Sequence, residues 1–180
     1  TGTWTVTASP GGSTITGTGT TGSFSTLAAG SSYTFVVTNS SGCLSGTSTA
    51  AIINAQPLTP SAPIIGLITQ PTCAVTSGSV ALSGLPSAGT WTLTTIPGGT
   101  ITGTGTTTTI SSLPAAASYT FTITNSSGCT SISSTSAVIN AIPTEPSAPI
   151  VGLVAQPSCL TPTGSVALSG LPATAWTITA

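Results

Sequence analysis

The sequence predicts an all-β fold made of tandem two-sheet sandwiches in a linear array, and three observations predict it. First, Tyr119, Phe121 and Ile123 alternate with Thr120, Thr122 and Thr124. Aromatic and β-branched residues at a period of two mark a strand with one buried face. Second, Asn125-Ser126-Ser127-Gly128 supplies turn chemistry directly after this run, and comparable turn signals recur every 8–12 residues. Third, the block Ser32–Cys43 nearly copies Ser118–Cys129, so that Cys43 and Cys129 lie 86 positions apart.

That interval is the period of the chain, a signal to be sought before any other. Gly2-Thr3-Trp4-Thr5 returns as Gly89-Thr90-Trp91-Thr92 and, less fully, as Ala175-Trp176-Thr177. Ser61-Ala62-Pro63-Ile64 returns as Ser147-Ala148-Pro149-Ile150, and Gln70-Pro71-Thr72-Cys73 as Gln156-Pro157-Ser158-Cys159. Gly78–Pro86 is repeated at Gly164–Pro172. One complete repeat therefore spans residues 61–146. Residues 1–60 form the C-terminal part of a preceding repeat, and residues 147–180 the N-terminal part of a following one. Both fragments contain the Trp segment, so a tail completing the head of another molecule would bring two Trp strands to one slot. A window on a longer tandem array is the simpler expectation.

Within the complete repeat the expected strands are Ile64–Gln70, Ser79–Leu85, Thr90–Ile96, Thr100–Gly103, Thr106–Ser111, Ser118–Asn125 and Cys129–Asn140. Pro86-Ser87, Pro97-Gly98-Gly99, Gly103-Thr104-Gly105 and Pro114-Ala115 separate them. Seven short strands in about ninety residues fit a seven-stranded immunoglobulin-like sandwich. No segment carries a 3.6-residue apolar period. Alternation points Val80, Leu82, Trp91, Leu93, Ile101, Ile110, Leu113, Tyr119, Phe121, Ile123 and Val138 inward, with Trp4 and Tyr33 as their counterparts in the first fragment. Leu27–Tyr33 and Leu113–Tyr119 have the form of a tyrosine corner, in which a Tyr early in a strand bonds backbone just upstream; an ordinary core Tyr is the alternative.

Composition narrows the class further. Glu145 is the one charged residue, Lys, Arg, His and Met are absent, and Ser and Thr supply 68 of the 180 residues. Hydroxyls rather than charges must keep the surface wet. Disordered chains combine low hydrophobicity with high net charge, whereas this one is 38% apolar with a mean hydropathy of +0.51. No apolar run approaches the ~18–20 residues of a membrane helix. There is no signal-peptide pattern, which says little about export for a chain that starts abruptly. No basic segment suits nucleic acid.

The same composition excludes most chemistry. Without His, and with its one carboxylate in a linker, the chain has no ordinary general base at neutral pH. Its many hydroxyls lack an activating neighbour. Zinc and calcium sites have no ligand set, so no metal and no cofactor is expected. Gly17-Thr18-Gly19-Thr20-Thr21-Gly22 matches a dinucleotide fingerprint only on paper, because no helix follows it. Asn39-Ser40-Ser41 and Asn125-Ser126-Ser127 are N-glycosylation tripeptides that serve equally well as turn formers. Thr104–Thr109 offers a hydroxyl face to O-glycans, sugar or ice, or is a plain solvated strand.

Between repeats, Pro57, Pro60 and Pro63, and again Pro143, Pro146 and Pro149, stand at three-residue spacing. Such spacing presets an extended polyproline-like path and semi-rigid joints. The four cysteines, with no His beside them, indicate disulfides and an oxidising, secreted setting. The favoured pairing is Cys73–Cys129, with Cys43 and Cys159 paired to residues outside the chain. It encloses 55 residues and contributes ~4 kcal/mol on the chain-entropy model. The rival scheme, Cys43–Cys73 with Cys129–Cys159, would cross between repeats.

Pro71-Thr72-Cys73, Gly78-Ser79-Val80, the Leu-x-x-Gly-x-x-Tyr-Thr-Phe run at 27–35 and Asn125–Thr130 form one ordered signature. It resembles the tandem Ig-like repeats of giant secreted surface adhesins of Bacteroidota, the SprB-type gliding adhesins. The resemblance covers the chain as one full and two partial units. It implies export, display at the cell surface, and a part in adhesion or gliding motility. The chain departs from that pattern in lacking Asp-Asn-rich turns and nearly all charge, which favours a stalk or filament over a binding head. The function expected is thus a non-enzymatic structural repeat of an extracellular filament, with a glycan- or surface-binding module as the alternative. Neighbouring repeats of the same polypeptide are the expected partners. Lateral self-association into fibres is expected as well, because exposed strand edges are normally guarded by charge.

Overall fold

The protein is described from a computed structural model, over residues 2–179. Every regular element among them is a strand, and the chain divides into two compact units, Thr1–Leu58 and Thr59–Ala180.

Unit one is a single antiparallel sheet. Its strands are β1 (Trp4–Ser9), β2 (Thr14–Gly17), β3 (Ser32–Asn39) and β4 (Ala51–Ile52), in the order β2-β1-β3-β4. Val6 lies opposite Val37 and Ala8 opposite Phe35. With a side-chain period of two, Trp4, Val6, Phe35 and Val37 therefore share one face. No second sheet covers that face within the unit. Trp4, Val6 and Phe35 are only half-buried, and Val37 is 39% exposed.

Unit two contains a complete sandwich. Strands β5 (Ile64–Thr69), β6 (Ser77–Ser83) and β9 (Thr107–Pro114) form one sheet in the order β5-β6-β9. Strands β7 (Trp91–Ile96), β8 (Thr100–Gly103), β10 (Ala117–Thr124) and β11 (Ala137–Ile139) form the other, in the order β11-β10-β7-β8. These sheet orders are those of an immunoglobulin-like sandwich. The alternation read from sequence appears directly as strict in-out burial along β6, β7 and β10. Val80, Leu93, Phe121 and Ile123 are fully buried where the two sheets meet. The Thr residues between them face outward and, being β-branched, favour the strand as well.

Beyond the sandwich, β12 (Ile150–Ala155) and β13 (Ser165–Ser169) form a separate two-stranded antiparallel sheet. Both strands are exposed along their whole length.

Three expectations fail in the complete sandwich. The stretch Cys129–Asn140 is not one strand; only Ala137–Ile139 is. Because β11 starts late, its phase differs from the expected one: Ala137 and Ile139 are buried while Val138 is 51% exposed. Ile101 lies opposite Leu93, yet β8 is a sheet edge with no cover beyond it, and Ile101 stays 42% exposed. Leu85, assigned to no buried position by the alternation, belongs to the core.

The difference in cover between the two equivalent faces is testable by truncating the same residue in each. Phe121→Ala should lower the stability of the complete sandwich by about 3–5 kcal/mol, as for a buried aromatic. Phe35→Ala should cost about 1–2 kcal/mol, since half of its contact surface is missing. Chemical denaturation followed by tryptophan fluorescence measures both.

Candidate functional site

The side chains singled out by the sequence build a set of clasps rather than a reaction centre, and each clasp has a residue-level cause. Trp91 is almost fully buried, and its indole Nε1 donates to the Gly105 carbonyl at 2.8 Å. Its ring lies against Gly103, where an added Cβ would sit 2.5 Å from ring carbon Cη2. Trp4 repeats the arrangement in unit one, with Nε1 donating to Gly19 at 2.8 Å and its ring against Gly17. The Gly-x-Gly of each hairpin thus makes room for the ring and presents the carbonyl that the indole needs. No nucleotide-type loop is involved.

Both tyrosine corners form. The Tyr119 hydroxyl donates to the Pro114 carbonyl at 3.0 Å. In unit one the direction reverses: the Ala28 N–H donates to the Tyr33 hydroxyl, also at 3.0 Å. Ala28 and Pro114 are equivalent positions, and proline has no N–H to give. A phenol can serve either way. Tyr33 and Tyr119 are both buried.

The asparagines of the two turns act as turn formers. Asn125 Oδ1 accepts from the N–H groups of Ser127 (3.1 Å) and Cys129 (3.0 Å). Asn39 Oδ1 does the same for Ser41 (3.0 Å) and Cys43 (2.9 Å). A side-chain carbonyl bonding backbone two and four residues on is the Asx geometry that makes Asn favourable in turns.

Beyond Cys129 a clasp replaces the missing strand. Ser131 and Ser134, three residues apart and both buried, bond the edge of β10. Ser134 Oγ accepts from the Phe121 N–H at 3.0 Å, while its own N–H donates to the Phe121 carbonyl at 2.8 Å. Ser131 does the same to Ile123, at 3.0 and 2.8 Å. Ser45 and Ser48 repeat the pattern on Val37 and Phe35. A strand would meet its neighbour with every second residue; here every third residue meets it, and the hydroxyl stands in for the missing backbone group. The Ser-x-x-Ser spacing at 45/48 and 131/134 was the signal in the sequence.

The expected Cys73–Cys129 bridge is not present, and the topology explains why. No disulfide joins the cysteines of the described residues. Cys73 follows β5 rather than preceding the first strand, so it lies at the end where Ala117 pairs with Ile139; its thiol donates to the Pro143 carbonyl at 3.7 Å. Cys129 follows Thr124 at the other end of β10, next to Thr92. Seven residue steps along β10 separate the two ends, about 23 Å at 3.3 Å per residue. A disulfide tolerates ~7 Å between Cα atoms. What ties the beginning of the module to its last strand is Gln70, which sequence reasoning passed over. Its Nε2 donates to the Val138 carbonyl at 3.0 Å, and its Oε1 accepts from the Asn140 N–H at 2.8 Å.

Among the described residues no group of His, Cys, Asp and Glu side chains is arranged to hold a metal ion, and no helix is long and apolar enough to cross a membrane. Unit one carries an apolar concavity. It is an open trough of about 480 Å³ lined by Trp4, Val6, Phe24, Phe35 and Val37 among others. It coincides with the uncovered apolar face of the sheet. Its counterpart in unit two is the interior of the sandwich, filled by Val80 and Leu82 of β6.

No family model matches the chain, and no curated protein matches it. Among solved structures, the crystal structure of chicken CNTN1 FN1-FN3 domains is similar over 77% of this chain and 55% of that one, with 14% sequence identity and a TM-score of 0.38. The chain spans little more than half the length of that structure. The immunoglobulin-like assignment rests on the sheet orders and registers given above.

Two substitutions separate the clasps from the cysteines. Tyr119→Phe should lower the unfolding free energy of the complete sandwich by about 1–1.5 kcal/mol through the lost hydrogen bond. Cys73→Ser should change it by less than about 0.5 kcal/mol, as for an exposed position. A loss near 4 kcal/mol for Cys73→Ser under oxidising conditions would restore the bridge. Equilibrium denaturation measures both.

Proposed function

We propose that this chain is a structural repeat of an extracellular adhesin or filament, giving reach and stiffness without catalysis. The observation carrying this reading is that the distinctive contacts recur at the repeat interval of 86 or 87 residues. The Trp-on-Gly contact, the tyrosine corner, the Asx turn and the paired Ser clasp occur in both units with the same partners. All of them serve the backbone. A site evolved for one ligand would distinguish one repeat from the next, whereas here each copy spends its polar side chains on holding its own fold.

The composition supports an exposed setting. A chain without Lys or Arg offers no cleavage point to trypsin-like proteases, and its hydroxyl-rich surface needs no counter-ions to stay hydrated. The ordered motifs at 27–35, 71–80 and 125–130 support placing it with SprB-type repeats at the surface of a bacterial cell. One complete repeat at residues 61–146, flanked by parts of two others, is the corresponding division of the chain.

An antibody raised against the purified chain provides the test. It should decorate intact, unpermeabilised cells of the source organism along projecting material. Labelling confined to the cell interior would contradict the proposal. A glycan array probed with the same chain should show no saturable binding; a defined glycan bound saturably would favour the adhesive-module alternative.

A further inference from the structure

We propose that the threonine-covered outer face of the sandwich is an ice-binding surface. The inference rests on one face of the complete sandwich and on its recurrence in unit one, and it does not depend on the adhesin reading.

The face is the outer side of β10, β7 and β8 in the four-stranded sheet. Along β7 and β10, Thr92, Thr94, Thr120, Thr122 and Thr124 alternate with buried side chains and so point away from the core. The strand registers align them with the threonines of β8 into rows. Thr124, Thr92 and Thr102 form one row, and Thr122, Thr94 and Thr100 the next. Unit one repeats the array. Thr38, Thr5 and Thr16 stand in one row, and Val36, Thr7 and Thr14 in the next, so that Val36 alone departs from threonine.

These are hydroxyls that the fold leaves unused. Ser131 and Ser134 bond backbone, but no residue among those described bonds the hydroxyls of Thr92, Thr94, Thr100, Thr102 or Thr122. Thr124 shares a hydroxyl–hydroxyl bond of 2.8 Å with Thr130. Branching at Cβ leaves each χ1 few choices, so hydroxyl and methyl are held in place before anything binds. Strand geometry sets these side chains about 4.8 Å apart across strands and about 6.7 Å apart along each one, both within about a tenth of the oxygen repeats on a prism face of ice. Neighbouring strands rotate by about 20°, which confines the match to the two rows centred on β7.

Ice is the occupant that the chemistry of the face selects. An apolar protein partner would bury these hydroxyls without hydrogen bonds, which is unfavourable. A glycan site would offer an exposed aromatic ring for stacking, whereas Trp91, Tyr119 and Phe121 are buried beneath the sheet. A charged surface would find no counter-charge, since the one charged residue, Glu145, lies in the linker. Ice is neutral and presents a donor or an acceptor at every lattice point, so the match in charge accompanies the match in spacing. The opposite outer face lacks the pattern: Ile64 lies opposite Ser83 there, and Ala81 opposite Thr109. The threonine run at 104–109 leads into β9 of that other sheet.

Slow freezing of a dilute solution of the 180-residue chain tests this, by measuring the share of protein taken into the growing ice. The unmodified chain should enter the ice and inhibit its recrystallisation. Thr94→Lys with Thr7→Lys, at the centre of both faces, should lower the share taken up about tenfold or more. Thr100→Lys with Thr14→Lys should do the same. These two positions are exposed on edge strands, so the second pair decides the matter even if the first loosens a central strand. Thr107→Lys with Thr109→Lys adds the same charge to the opposite face and should leave uptake unchanged. Exclusion of the unmodified chain from ice would overturn the proposal, whether or not the face then binds a glycan or a second copy. Unchanged uptake of the Thr100 and Thr14 variant, or an equal loss in the Thr107 and Thr109 variant, would overturn it too.

Discussion

The structure depends on one constraint: the apolar face shared by a Trp-bearing strand and a Tyr-x-Phe strand must be covered by a second sheet. In the complete sandwich that cover makes Phe121 and Ile123 fully buried. In unit one the same face stands open, although its strands, turns and corner are all in place. Local chemistry therefore forms the sheet, and burial against the hairpin supplies the stabilisation that makes it a module. A large side chain gains about 1.5–3 kcal/mol on full burial, so a handful of such positions decides whether a unit of this size is stable.

The lack of charge shapes everything else. Most proteins guard a strand edge with Lys or Glu; this chain has neither at an edge. Its substitute is the pair of serines whose hydroxyl and amide occupy both backbone groups of Phe121 and of Ile123. The edge of β10 is thereby satisfied without a continuous neighbouring strand. Hydroxyls do the work elsewhere given to charges or to a longer ladder, consistent with the weight of Ser and Thr in the composition.

Much of this architecture was legible in the sequence because it depends on short-range periodicity. The alternation through Tyr119, Phe121 and Ile123, the Gly-x-Gly after each Trp strand and the Asn-Ser-Ser-Gly turns all act within a few residues of one another. The misplaced features depend on long-range geometry. The Cys73–Cys129 pairing fails although Ile64–Gln70 is read as a strand, because which end of the sandwich Cys73 reaches is defined only once β5, β6, β9 and β10 are paired. Val138 was turned inward because the phase of β11 is set by where the serine-clasped segment ends. Gln70 passed unnoticed, since its partners lie 68 and 70 residues away.

Amide hydrogen exchange on the dilute chain addresses the central claim most directly, by comparing Phe35 and Val37 with Phe121 and Ile123. These amides make the same bonds to equivalent serines, so that cover by the second sheet is the main difference between the pairs. The expected result is exchange at least about a hundredfold faster in the first pair. Equal protection of both pairs at high dilution would contradict it, because the uncovered sheet would then be as stable as the complete sandwich.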